Sequence, residues 1–117
     1  MAKSSTVKLS LSTVENDGGF SWPGEKTYTN ANPPLLADLV NLTTTPTTLT
    51  IPAGTEWVII IPPATNVNNI KISGAVGETV GAVLHPSRPI YLPVPAAGAS
   101  IFLFAAAATS NVQLYFA

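Results

Sequence analysis

A chain of 117 residues without a cysteine suits one domain held together by its own core, and it excludes disulfides and thiolate metal sites. Only 9% of the residues are charged and the formal net charge is −1, against about 25% charged residues in an ordinary soluble domain. The 5 Lys and Arg side chains, spread along the sequence, form no phosphate-binding stripe, which argues against a nucleic-acid partner.

A free-standing soluble surface is best made with roughly 25–35% charged residues. This chain must build its exterior from Thr, Asn, Ser, Ala and Pro instead. Such a surface costs little to desolvate, so it suits burial against other protein. A neutral, secreted-type β domain is the plainer reading of the same composition. The opening MAKSSTVKLSL holds no apolar run long enough for a signal peptide or a membrane helix. Phe102–Ala108 is too short to cross a bilayer. The expectation is a chain that is neither secreted as an enzyme nor held in a membrane.

Thr6–Leu11 (TVKLSL) puts Val7, Leu9 and Leu11 on one side and Lys8 and Ser10 on the other. That period of two predicts a first or edge strand. Residues 12–38 show no clear periodicity apart from a short strand at Lys26–Thr29. Loops beyond about 12–15 residues are uncommon and are usually functional or disordered. This one carries Phe20, Trp22 and Tyr28, whereas disordered tracts are poor in aromatics. It therefore reads as an arm that docks its rings, either on the domain's own core or on a neighbouring subunit.

Leu35–Leu42 (LLADLVNL) has apolar residues at spacings that fit a turn or two of helix, and Pro33-Pro34 suits a helix start. Its second half also permits a strand. The expectation is a short helix or turn leading into a strand. The threonine-rich Thr43–Thr50 then supplies β-branched hydroxyls suited to a wet or polar strand face.

Thr47–Pro63 (TTLTIPAGTEWVIIIPP) reads as the unit the rest is built around. Thr47–Ile51 alternates hydroxyl and apolar residues, as a half-buried strand does. Pro52-Ala53-Gly54 is a turn, with proline presetting one dihedral and glycine free to take a positive one. Glu56–Ile61 (EWVIII) predicts a central strand covered on both faces. Pro62-Pro63 stops it, since neither residue can donate to a sheet.

Asn68–Ser73 predicts a strand with Ile70 and Ile72 inward. Gly74–Gly81 is turn-rich, Val80–Leu84 is a short strand, and His85–Pro89 is a rigid loop. Ile90–Leu92, Ser100–Phe104 and Val112–Phe116 complete the series, the last with Val112, Leu114 and Phe116 on one face. About eight short strands separated by turn signals define an all-β fold. One domain over residues 1–117 is expected, an antiparallel jelly-roll-like β-sandwich with an extended N-terminal arm over 12–38. A seven-stranded immunoglobulin-like sandwich is the alternative.

Chemistry is hard to place on these residues. His85 is the 1 histidine, and the 6 carboxylates are scattered, so neither a metal cluster nor a nucleophile–histidine–acid set is suggested. Nothing like GxSxG occurs. ENDGG at Glu15–Gly19 loosely resembles the start of a calcium loop, but the third ligand and the closing glutamate are missing. His85 reads as a loop histidine bonded to backbone. No catalytic residue, metal site or cofactor is expected. Trp22, Trp57 and Tyr91 could stack sugar rings, although Trp57 reads as core. Arg88, the only arginine, lies between prolines and could anchor an interface or make a lone salt bridge. The candidate interface residues are Phe20, Trp22, Tyr28, Arg88 and Tyr91.

The run PTTLTIPAGTEWVIII and the closing PSRPIYLPVPAAGASIFLFAAAATSNVQLYFA give Thr47–Ala117 a texture that resembles the minor structural proteins of tailed bacteriophages. Head decoration or cement proteins of that class are similar in size, often form trimers, and lock neighbouring major capsid subunits together from outside. The resemblance implies a virion protein assembled in the host cytoplasm, a homotrimer with the major capsid protein as its partner. A tail-tip, fibre or carbohydrate-binding domain recognising a cell-surface glycan is the alternative.

Overall fold

The structure, a computed structural model, describes residues 3–11, 24–75, 77, 80–95 and 98–117. Ten strands follow one another, with no helix among the described residues: β1 (Ser5–Leu9), β2 (Lys26–Asn30), β3 (Leu36–Leu42), β4 (Thr47–Ile51), β5 (Trp57–Ile61), β6 (Ile70–Ser73), β7 (Ala82–Leu84), β8 (Ile90–Pro93), β9 (Ala99–Ala105) and β10 (Thr109–Phe116). The last eight make two four-stranded antiparallel sheets, ordered β3-β10-β5-β8 and β4-β9-β6-β7. Successive strands mostly alternate between the sheets, which is the order of a jelly roll of two packed Greek keys. The expected sandwich architecture is present.

Period-two patterning puts one side of these two sheets' strands into the gap between them. Leu42, Val58, Ile60, Val112, Leu114 and Phe116 from the first sheet meet Leu49, Ile51, Ile70, Leu103 and Ala105 from the second. The turn from β4 to β5 carries the chain from one sheet to the other. Thr55 N donates to Pro52 O at 3.2 Å, and Gly54 takes φ 91°. These are the marks of a type II turn, in which the third position needs a positive φ. β5 stops at Ile61, ahead of the expected proline pair.

One expectation is corrected. Leu36–Leu42 is strand throughout, not a helical turn leading into strand. Leu35 has φ 49°, which ends any right-handed helical start, and β3 is then pinned residue by residue against β10. Within the 12–38 stretch the expected short strand is present. β2 forms within it and pairs with β1, in register from Ser5–Asn30 to Leu9–Lys26. This ribbon belongs to neither sheet of the sandwich. A two-stranded ribbon is marginal by itself in water, so its attachment matters. Asn30, buried at its end, donates from Nδ2 to Gly54 O at 2.7 Å and accepts from Asn32 N at Oδ1. One side chain thus ties the ribbon to the β4–β5 turn.

Candidate interface

The two outer faces of the sandwich differ in chemistry. On the β4-β9-β6-β7 sheet, Thr48, Thr50, Ser100, Lys71 and, on the edge strand, Val83 occupy outward positions. Phe102 and Phe104 share that side yet are buried, and Lys71 Nζ lies 5.8 Å from the centre of the Phe104 ring. This face is capped by hydroxyls and a charge.

On the β3-β10-β5-β8 sheet the outward positions are those that alternate with the core residues. Registered pairing stacks them in rows across the strands. Leu39, Gln113 and Ile61 form one row, and Ala37, Tyr115, Ile59 and Tyr91 form the next. Trp57 and Pro93 close the far end. None of these residues is an Asp, Glu, Lys, Arg or His. Leu39 is 56% exposed, Tyr91 48% and Tyr115 38%. Only Tyr115 Oη makes a described side-chain hydrogen bond here, to Gln113 Oε1 at 3.2 Å. Large apolar residues packed side by side over four strands and left open to water are the unusual feature, since scattered ones need no explanation.

The face continues past the sheet at the end where Trp57 and Pro93 lie. A groove of about 440 Å³ runs beside Tyr115, lined by Leu35, Leu36, Ala37 and Ile59. Leu35 holds its left-handed backbone at this lip, at a cost of about 1–2 kcal/mol for a residue with a Cβ. At the same end, beside β5, the Tyr28 ring of the ribbon sits 5.6 Å from the Trp57 ring, tilted by 49°. Val7, Leu9 and Lys26 share the Tyr28 side of the ribbon, while Thr6, Lys8, Thr27 and Thr29 make its other side. Ribbon and sheet face thus join through one aromatic pair.

Of the expected interface residues, Tyr28 and Tyr91 come to this one surface. Arg88 is exposed in the loop before β8, near the Ile60–Ile90 end of β5 and away from Trp57. Phe20 and Trp22 lie outside the described residues, as does the ENDGG stretch. Trp57, expected in the core, is only half-buried and points outward, because the core positions of β5 are Val58 and Ile60. By the same parity Ile59 and Ile61 are partly exposed, so β5 is covered on one face and not on two. Leu39, Ile59, Ile61 and Tyr115 share this face and were not singled out in the sequence. For Ile59 and Ile61 the signal was the unbroken run WVIII, which marks both strand faces as apolar without saying what covers the second.

His85 is exposed, and its Nδ1 accepts from Ser87 N at 3.1 Å, a bond that holds its own loop. Asp38 Oδ1 accepts from Leu39 N at 2.8 Å. Among the described residues no three His, Cys or acidic side chains gather at one point. What the surface can do is exclude water over a wide area. Comparison of the chain with family models, curated proteins and solved structures returns no match.

Proposed function

We propose that this chain is a structural protein of a virion, a head decoration or cement protein that binds the assembled shell and bridges major capsid subunits. The observation that carries the reading is the uncharged apolar face of the β3-β10-β5-β8 sheet. A contiguous apolar face of this kind is the usual mark of a surface that binds other protein. The jelly roll is a frame used by viral capsid and lectin domains alike, and the texture of Thr47–Ala117 supports the first of these.

The mechanism is linkage. A protein that binds only the assembled shell stabilises it by about 2.7 kcal/mol per site at a hundredfold excess over the dissociation constant. Repeated over a shell, small increments become a large total, and an oligomer that touches several capsomers adds avidity. The test is occupancy on purified heads of the phage that encodes the chain. Tyr91→Glu is expected to abolish occupancy, and heads without the protein are expected to burst at lower temperature. Heads that never take up the folded protein would overturn the proposal.

The aromatic content of the same face favours one second reading. Trp57, Tyr91 and Tyr28 present rings of the kind that stack on sugars, as a fibre or carbohydrate-binding domain requires. Glycan binding that is lost in Tyr91→Ala, with no occupancy on heads, would select it.

A further inference from the structure

We infer that the outer face of the β3-β10-β5-β8 sheet and the β1–β2 ribbon together form the contact between copies of this chain. The inference rests on the reading that this face works buried against protein, and it names the first partner as a second copy.

Charge is the first argument. In a closed homo-oligomer, residues near the symmetry axis meet their own copies, so a charge there faces the same charge. The sheet face from Leu39 to Tyr91 carries none. The opposite face of the sandwich carries Lys71 on its outward side. Of the two broad surfaces, only the first can meet itself without repulsion.

Size is the second argument. Four strands about 4.8 Å apart and about 17 Å long make roughly 300 Å² of flat sheet. A stable interface takes about 800 Å² from each partner. The sheet face alone is too small, so its occupant must also engage the two surfaces that adjoin its Trp57 end. The ribbon supplies one of these. It is joined to the face through Tyr28 and Trp57 and stands outside both sheets of its own sandwich. The groove at Leu35 and Leu36 supplies the other. One chain therefore carries an apolar floor that lacks a cover and a ribbon that lacks a third strand or a second layer. Copies of the chain satisfy both needs at once.

The experiment is sedimentation velocity on the full chain over a range of micromolar concentrations, with circular dichroism to confirm folding. Three variants are compared with the natural sequence. Leu39→Glu and Tyr91→Glu place a carboxylate on the two edge strands of the apolar face, and Val83→Glu places one on the other face, where Val83 is 60% exposed. The natural chain and Val83→Glu are expected to associate alike. Both face variants are expected to fold and to associate at least a hundredfold more weakly, since a carboxylate buried without a partner is costly. A chain that stays monomeric throughout, or one whose association survives both face variants, overturns the inference. Occupancy on heads separates it from the virion reading. A monomer that still fills heads through Tyr91 sinks only the self-contact, and an oligomer that never binds heads sinks only the virion role.

Discussion

Two adjacent isoleucines on β5 test which side of the sheet is covered within the single chain. Ile60 is 0% exposed in the core cluster, while Ile59 points outward and is partly exposed. Either one changed to Ala loses three carbons and the same strand propensity, so the backbone contribution cancels in the comparison. At Ile60 those carbons contribute about 0.8 kcal/mol each by burial. The cavity left between two packed sheets raises the total to roughly 3.5–4 kcal/mol. At Ile59 the site is already open, no cavity forms, and about 1.5 kcal/mol is expected. With about 2.1 cal/mol/K of unfolding entropy per residue, 1 kcal/mol shifts Tm by about 4 °C in a domain this size. Ile60→Ala should therefore melt about 15 °C lower and Ile59→Ala about 6 °C lower, measured calorimetrically on dilute protein. The gap should narrow as concentration rises and the outer face becomes covered. Equal losses in the dilute sample would refute the reasoning, because Ile59 would then be as deeply packed as Ile60.

Three further outcomes follow from particular contacts. Thr55 is fully buried and its Oγ1 has no hydrogen-bond partner among the described residues. Thr55→Val keeps the shape, removes an unsatisfied hydroxyl, and should stabilise by about 1 kcal/mol in urea unfolding; a loss of that size would mean the hydroxyl is satisfied. Asn30→Ala removes the tie between ribbon and turn. Amide exchange in β1 and β2 should accelerate by about tenfold or more, for roughly 1–2 kcal/mol of lost hydrogen bonding, while exchange in β5 and β10 stays unchanged. Gly54→Ala forces a Cβ into a backbone at φ 91°, 3.1 Å from Asn32 O. It should cost about 1–2 kcal/mol, and a neutral result would show that the turn relaxes.

The strands were legible where alternation was strict. Val112, Leu114 and Phe116 announced β10, and Ile70 and Ile72 announced β6, because one wet face leaves a period of two in the sequence. The turn at Pro52–Gly54 was legible because its residue types match the dihedrals it needs. Leu36–Leu42 was misread because a short apolar stretch fits both periods, and only its pairing with β10 decides between them. The bulge between Thr109 and Val112 left no sequence signal. It is held by Asn111 at φ 62°, whose N donates to Asn41 Oδ1 at 3.0 Å, across 70 positions of chain. The candidate interface was half legible. The shortage of charge implied a surface made for burial. Its location needed the register that lines up Leu39, Tyr115, Ile59 and Tyr91 on one face, and the run EWVIII gave no hint that the second face lacks a cover within its own chain.

Chemical footprinting of Tyr91 and Tyr115 tests the central claim most directly. The rings of both tyrosines should react readily with hydroxyl radicals in the dilute monomer, as their 48% and 38% exposures require. In the assembled state each should be protected by tenfold or more, while Val83 on the other face stays reactive. Tyrosines that react equally in the monomer and in the assembly would contradict the account.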